Sequence, residues 1–207
     1  MQTPGFFERA PRFRLYDPLG EFLGAFEEGI VEIGYLDCVK LAGHSCPTVA
    51  GAFLLAHRGL EALYGVESLP ARSRIRVELR SPKGEGVTGV IGNVVAYICG
   101  AGDEGGFAGI GSHFGRRGLL RYGVEEIEGD LRLTRLDTGA SVSLRLDTSV
   151  IGGSPEMMPL MQKALRGEAL PEEVRHFREL WQGRVEAMLT TPELWEKIAL
   201  ITRQDQV

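Results

Sequence analysis

Between Pro47 and Gly65 the apolar residues Val49, Phe53, Ala56, Leu60 and Leu63 recur at steps of four, three, four and three. That spacing predicts a helix with one core-facing stripe. Pro47 suits its first turn, where a missing N–H has no partner to lose, and Gly65 closes it. Ala50, Gly51 and Ala52 are small enough to let the start of the helix approach another backbone closely. From 73 to 79, Ile75, Val77 and Leu79 alternate with Arg74, Arg76 and Glu78, the period of a half-buried strand. Residues 86–100, "GVTGVIGNVVAYICG", are β-branched and apolar and read as one or two strands. Residues 130–148 alternate on both sides of Asp137–Gly139 and predict a hairpin turning at Thr138-Gly139.

The ends of the chain read differently. Residues 1–34 form an irregular lead-in with a short helix around Pro18–Glu28, closed by Gly29, and "IVEIGYLD" follows as a strand or extended segment. After "GGSP" at 152–155, residues 156–166, 171–189 and 193–201 read as three helices, with Leu180, Trp181, Val185, Met188 and Leu189 as the stripe of the middle one. The expectation is an α+β fold: a mixed or antiparallel sheet with packed helices over 1–151, followed by a helical C-terminal extension over 152–207.

Composition narrows the setting without naming a function. A length of 207 residues suits one well-packed domain, and 43% hydrophobic with 25% charged residues is ordinary for a globular protein. A formal charge of −5 argues against non-specific binding of nucleic acid, and no apolar run has the length of a membrane span. The first residues lack the continuous apolar region of a signal peptide, and three scattered cysteines make no disulfide framework. A cytoplasmic protein with reduced thiols is expected.

The candidate chemistry starts in "LAGHSCPTVAGAF", residues 41–53. In an extended segment, side chains two residues apart point the same way, so His44 and Cys46 can reach one metal ion. Cys46 also stands just before a helix, whose positive end favours a thiolate over a thiol, as metal ligation and nucleophilic attack both require. The alternative is a small buried Cys46 beside a hydrogen-bonded loop histidine. A second cluster, residues 98–120, holds Cys99, Asp103, Glu104 and His113 among many glycines. His44, Cys46, Cys99 and His113 together make a Cys₂His₂ shell suited to zinc, with iron or another transition metal as alternatives. Cys99 at the end of a buried strand and His113 in a surface loop are the competing readings. Cys38 is a further candidate ligand, and Asp37 and Lys40 are polar neighbours able to orient one.

Other residues carry less. "GAGDEG" at 100–105 satisfies G-x-G-x-x-G, but no apolar helix follows it and Asp103 and Glu104 oppose phosphate. His57 reads as a packed histidine and His176 as a solvated one. Arg74 and Arg76 fall on the wet face of their strand. Arg116 and Arg117 follow the glycine-rich loop and either hold an anionic substrate or sit in a solvated turn.

These residues resemble a known family. "GHSCPTVAGAF" is similar to the Gly-His-x-Cys-Pro segment of the E-type subunit of formylmethanofuran dehydrogenase and its stand-alone relatives, and "GSHFGRRGLL" at 111–120 is similar to a later stretch of the same family. The resemblance spans about residues 35–120. It implies an α+β domain akin to the catalytic-domain fold of glyceraldehyde-3-phosphate dehydrogenase, a homodimer, and a metal site on His44 and Cys46. Three departures stand out: Ser112 replaces the family's later cysteine, Cys99 is displaced from its middle one, and the helical tail stands where some relatives carry a four-cysteine zinc module. His113, next to Ser112, is then a substitute ligand.

Three functions follow as expectations. The first is a metalloprotein, zinc-loaded at His44 and Cys46, acting on a small carbonyl or one-carbon substrate. The second is a non-catalytic accessory protein presenting a metal or cofactor to a partner enzyme, which predicts an exposed apolar stripe on residues 177–189. The third is a metal-free thiol enzyme with Cys46 as nucleophile and His44 as base.

Overall fold

The computed structural model describes residues 3–65 and 68–205. At its centre is the long helix α3, Pro47–Tyr64, with Cys46 as N-cap, Pro47 in the first turn and Gly65 beyond the last. Most of it is buried, including Val49, Phe53, Leu54, Leu55, Ala56 and Leu60. It is apolar on more than one stripe because neighbours surround it: the sheet on one side and helices on the others.

The main sheet has five strands in the order β4 (Leu120–Arg121), β3 (Ile75–Leu79), β5 (Leu131–Arg135), β6 (Ser141–Leu146) and β7 (Ala199–Asp205). β3 and β4 are parallel and the other neighbours antiparallel, so the sheet is mixed. The hairpin expected over 130–148 is β5–β6. Ile75, Val77 and Leu79 face the core as their alternation predicts, while Glu78 is also buried and accepts from Arg132 Nε at 2.9 Å. A separate antiparallel pair, β1 (Phe13–Tyr16) and β2 (Ile30–Ile33), flanks this body. Between them α1 runs only over Pro18–Phe22, short of the expected helix to Glu28, because the chain turns at Gly24 with φ of 68°. The extended "IVEI" is β2, and α2, Tyr35–Ala42, follows at once.

Two expectations are corrected. Residues 86–100 form no strand. They contain the helix α4, Thr88–Cys99, packed against α2, α3 and β3. Ile91, Val94, Val95, Ile98 and Cys99 are among its buried residues, and a helix enclosed on nearly all sides loses its polar stripe and imitates a buried strand. In the tail, α5 (Met157–Leu165) and α6 (Pro171–Thr190) match their patterns, but the third helix is cut short. The short helix α7 covers Trp195–Ile198, and the chain then extends as β7 along β6, from Leu146↔Ala199 to Ser141↔Asp205. The unpaired donors and acceptors of β6 outweigh local helix preference there. The region after 152 is therefore not wholly helical, and its last strand belongs to the main sheet.

One ionic cluster ties distant segments together. Asp17, 1% exposed, accepts from the Gly20 amide at 2.9 Å, from Arg72 at 2.7 Å and from Arg116 at 2.9 and 2.8 Å. Arg72 also donates to the carbonyls of Ile98 and Tyr97, which the end of α4 leaves unpaired. Burial alone pushes the Asp17 carboxyl up, but the Gly20 amide, Arg116 and Arg72 outweigh it and hold it below the usual carboxylate range.

A carboxyl lowered in the folded state stabilises fully above its unfolded pKa, about 4, and the stabilisation is lost as pH falls through the folded value. Asp17→Asn is therefore expected to cost about 3–5 kcal/mol at neutral pH, because Arg72 is left buried without its charge partner. Urea unfolding at stepped pH checks it: the deficit of the variant should shrink below about pH 4.

Candidate functional site

The turn between α2 and α3 has only four residues, Gly43, His44, Ser45 and Cys46. Gly43 ends α2 at φ of 76°, a left-handed conformation that glycine adopts without strain. The turn then delivers Cys46 in extended conformation to the start of α3. Its Sγ accepts the Val49 amide at 3.4 Å, the cap position usually held by serine or aspartate. Cys46 is 8% exposed. His44 is exposed, and its Nδ1 lies 2.9 Å from the Ala42 carbonyl at the end of α2. A carbonyl only accepts, so Nδ1 carries the proton in that bond and Nε2 is left as the free acceptor. The two side chains thus differ in exposure, His44 at the surface and Cys46 inside.

Ser45 between them is held from three directions. Its hydroxyl lies 3.0 Å from the Tyr35 hydroxyl and donates to Gln182 Oε1 at 3.0 Å. Its carbonyl accepts from Trp181 Nε1 at 2.9 Å and from Gln182 Nε2 at 3.3 Å. Tyr35 is fully buried between Phe7 and Phe53, and burial raises its phenol well above the ordinary range, so it remains a neutral donor. Sequence patterns miss this clamp, because Trp181 and Gln182 lie 136 and 137 residues away from Ser45. Trp181 stands out in the sequence only as part of an apolar stripe.

The remaining ligand candidates are not gathered here. Cys38, on α2, is fully buried, and that burial pushes its thiol up to about 12. Cys99 ends α4, fully buried, with its thiol likewise raised to about 12 by burial. The starts of α3 and α4 share one cavity, lined by Thr48, Thr88 and Ile91 among others, so Cys99 lies about 16 Å further along α4. Cys46 thus stands at the start of α3 and Cys99 at the end of α4. His113 sits on the glycine-rich loop, bridged to Ile110 and next to Phe114, which stacks on Phe22 at 5.0 Å. That loop closes beside the end of α4, through Gly102 N to Arg116 O at 2.8 Å, not beside Cys46. Among the described residues no group of three or more His, Cys, Asp or Glu side chains is placed to hold a metal ion.

The secondary candidates resolve into structural tasks. Asp37 caps α2 by accepting the Gly34 amide at 2.9 Å, with Lys40 at 4.0 Å. His57 packs between Phe13 and Trp195, and burial holds its pKa below the ordinary value. His176 is exposed beside Glu156. Asp103 bonds Lys83 and the Gly105 amide, and no helix starts after "GAGDEG". Arg117 is exposed, whereas Arg116 is partly buried and reaches Asp17. The stripe of 177–189 is turned inward, with Val185, Met188 and Leu189 buried, so the exposed face expected of a docking tail is not there. Comparison with protein-family models, with curated proteins and with solved structures finds no match.

Trp181→Phe tests the clamp, since it keeps the ring and removes one N–H. The expected cost is about 1 kcal/mol, with several-fold faster alkylation of native Cys46 by iodoacetamide. An unchanged alkylation rate would show that α6 does not control access to the turn.

Proposed function

We propose that the α2–α3 turn is the working centre of this protein and that His44 and Cys46 hold one transition-metal ion, best matched by zinc. The observation that carries this reading is the state of His44: its Nδ1–H is spent on the Ala42 carbonyl, which fixes the tautomer that leaves Nε2 free. Two residues on, Cys46 already acts as an acceptor at the helix N-terminus. The donor set fits zinc in part. It supplies two of four positions and leaves the others to substrate, water or a second chain, which is an open site and not a closed structural one. An ion there would supply Lewis-acid chemistry toward a small carbonyl or one-carbon substrate. The chain's own contribution is to fix the turn, through the hydrogen bonds that α6 places on Ser45, and to keep Cys46 buried.

The likeness of residues 41–53 and 111–120 to the E-type subunit of formylmethanofuran dehydrogenase supports the same reading. Membership of that family, its glyceraldehyde-3-phosphate-dehydrogenase-like fold, a homodimer and a cytoplasmic setting are part of this proposal. The structure's own statement is coarser: α+β with a mixed sheet, and among the described residues no helix long and apolar enough to cross a membrane. A second reading is favoured by the two-donor count. With no third donor gathered among the described residues, this reading has Cys46 as a metal-free nucleophile and His44 as its base.

Metal analysis of anaerobically purified protein decides between them. The expectation is about one ion per chain, lost in Cys46→Ala and His44→Ala and retained in His113→Ala and Cys99→Ala. Cobalt substitution should show a thiolate charge-transfer band that Cys46→Ala abolishes. No metal in the wild type after reconstitution, with Cys46 readily alkylated, would overturn the metal reading in favour of the thiol.

A further inference from the structure

The ionic cluster at the base of the glycine-rich loop does not balance. Asp17 meets two guanidinium groups, and among the described residues no other carboxylate pairs with Arg72 or Arg116. One positive charge is left over. Arg72 spends its Nε and one Nη on the Ile98 and Tyr97 carbonyls and the other Nη on Asp17. Arg116 gives only Nη2 to Asp17, and its buried Nε has no hydrogen-bond partner among the described residues. Excess charge and a spare donor in a partly buried place are costly until an anion meets them.

Arg72 and Arg116 also line a cavity of about 330 Å³ between α1 and the loop. Its other walls include Leu19, Leu23, Phe26 and Phe107, so the two guanidinium groups, with the Asp17 carboxylate already bonded to both, form the polar end of an apolar slot. Leu23 and Phe107 stand 61% and 44% exposed at this slot, side chains of a size that usually seeks cover.

We propose that this cavity binds a monocarboxylate with an apolar tail, the carboxylate meeting Arg116 and the tail lying along Leu19, Leu23, Phe26 and Phe107. The planar fork of a guanidinium matches a carboxylate, and a single negative charge is what the cluster lacks. Inorganic phosphate exceeds that charge and leaves the apolar walls in water. The site lies at the C-terminal end of α4, shares no lining residue with the α2–α3 turn, and does not rest on the metal reading.

Calorimetric titration of the full chain with hexanoate, benzoate, hexanol and inorganic phosphate tests it. Hexanoate or benzoate should bind at about millimolar affinity or better, with hexanol and phosphate at least about tenfold weaker. Arg116→Gln should weaken carboxylate binding by about tenfold or more. Leu23→Asp sits at the exposed mouth, leaves the Asp17 cluster intact and should have the same effect by repulsion, which keeps the test valid if Arg116→Gln does not fold. No carboxylate binding to the wild type at about 10 mM, equal binding of hexanol or phosphate, or affinity unchanged by Leu23→Asp would overturn the proposal.

Discussion

The close seat of α3 on the sheet is the constraint from which the rest of the structure follows. A β-carbon at Gly51 would stand 2.5 Å from Leu146 Cδ1, and one at Gly59 would stand 2.6 Å from Leu133 Cδ1. Two glycines, eight residues apart on one face of the helix, therefore let its backbone settle against side chains of β5 and β6. Helical glycine costs up to about 1 kcal/mol each relative to alanine, a loss that the apolar surface buried around Val49, Phe53 and Leu54 outweighs. Once α3 is seated, its first turn, and with it Cys46, has a fixed position relative to the sheet.

That position has a second support from the far end of the chain. The tail leaves the sheet after β6, forms the α5–α6 hairpin and returns as β7 on the same strand. On the way α6 packs Val185, Met188 and Leu189 into the core and presents Trp181 and Gln182 to Ser45. Residues after 152 are thus structural partners of the turn. The same geometry separates two chemistries. The thiol and imidazole stand at the start of α3, while the unbalanced guanidinium cluster stands at the end of α4, beneath the glycine-rich loop.

Local physics was legible in the residues themselves. Pro47 with the stripe from Val49 to Leu63, the alternation of Ile75, Val77 and Leu79, and the turn around Thr138-Gly139 each follow from one period or one backbone preference, and each forms as read. The position of Cys46 as the cap of α3 was legible for the same reason. Where the environment replaced the local preference, the pattern misled. α4 is enclosed by α2, α3 and β3, so its apolar positions lost the polar intervals that mark a helix, and β7 extends because β6 offered an unsatisfied edge.

By itself, then, the sequence determined the α+β class and the start of the central helix, with Cys46 as its cap. Tertiary structure alone decided which side chains meet. It put Cys46 at the start of α3 and Cys99 at the end of α4, and it set His113 on the loop that closes beside that end. It joined Asp17 to Arg72 and Arg116 across 55 and 99 residues, and Ser45 to Trp181 across 136. Periodicity carries information over a few residues, because it arises from the repeat of one helix or strand. Contacts across such separations depend on how whole elements stack, and no short window of residues records that.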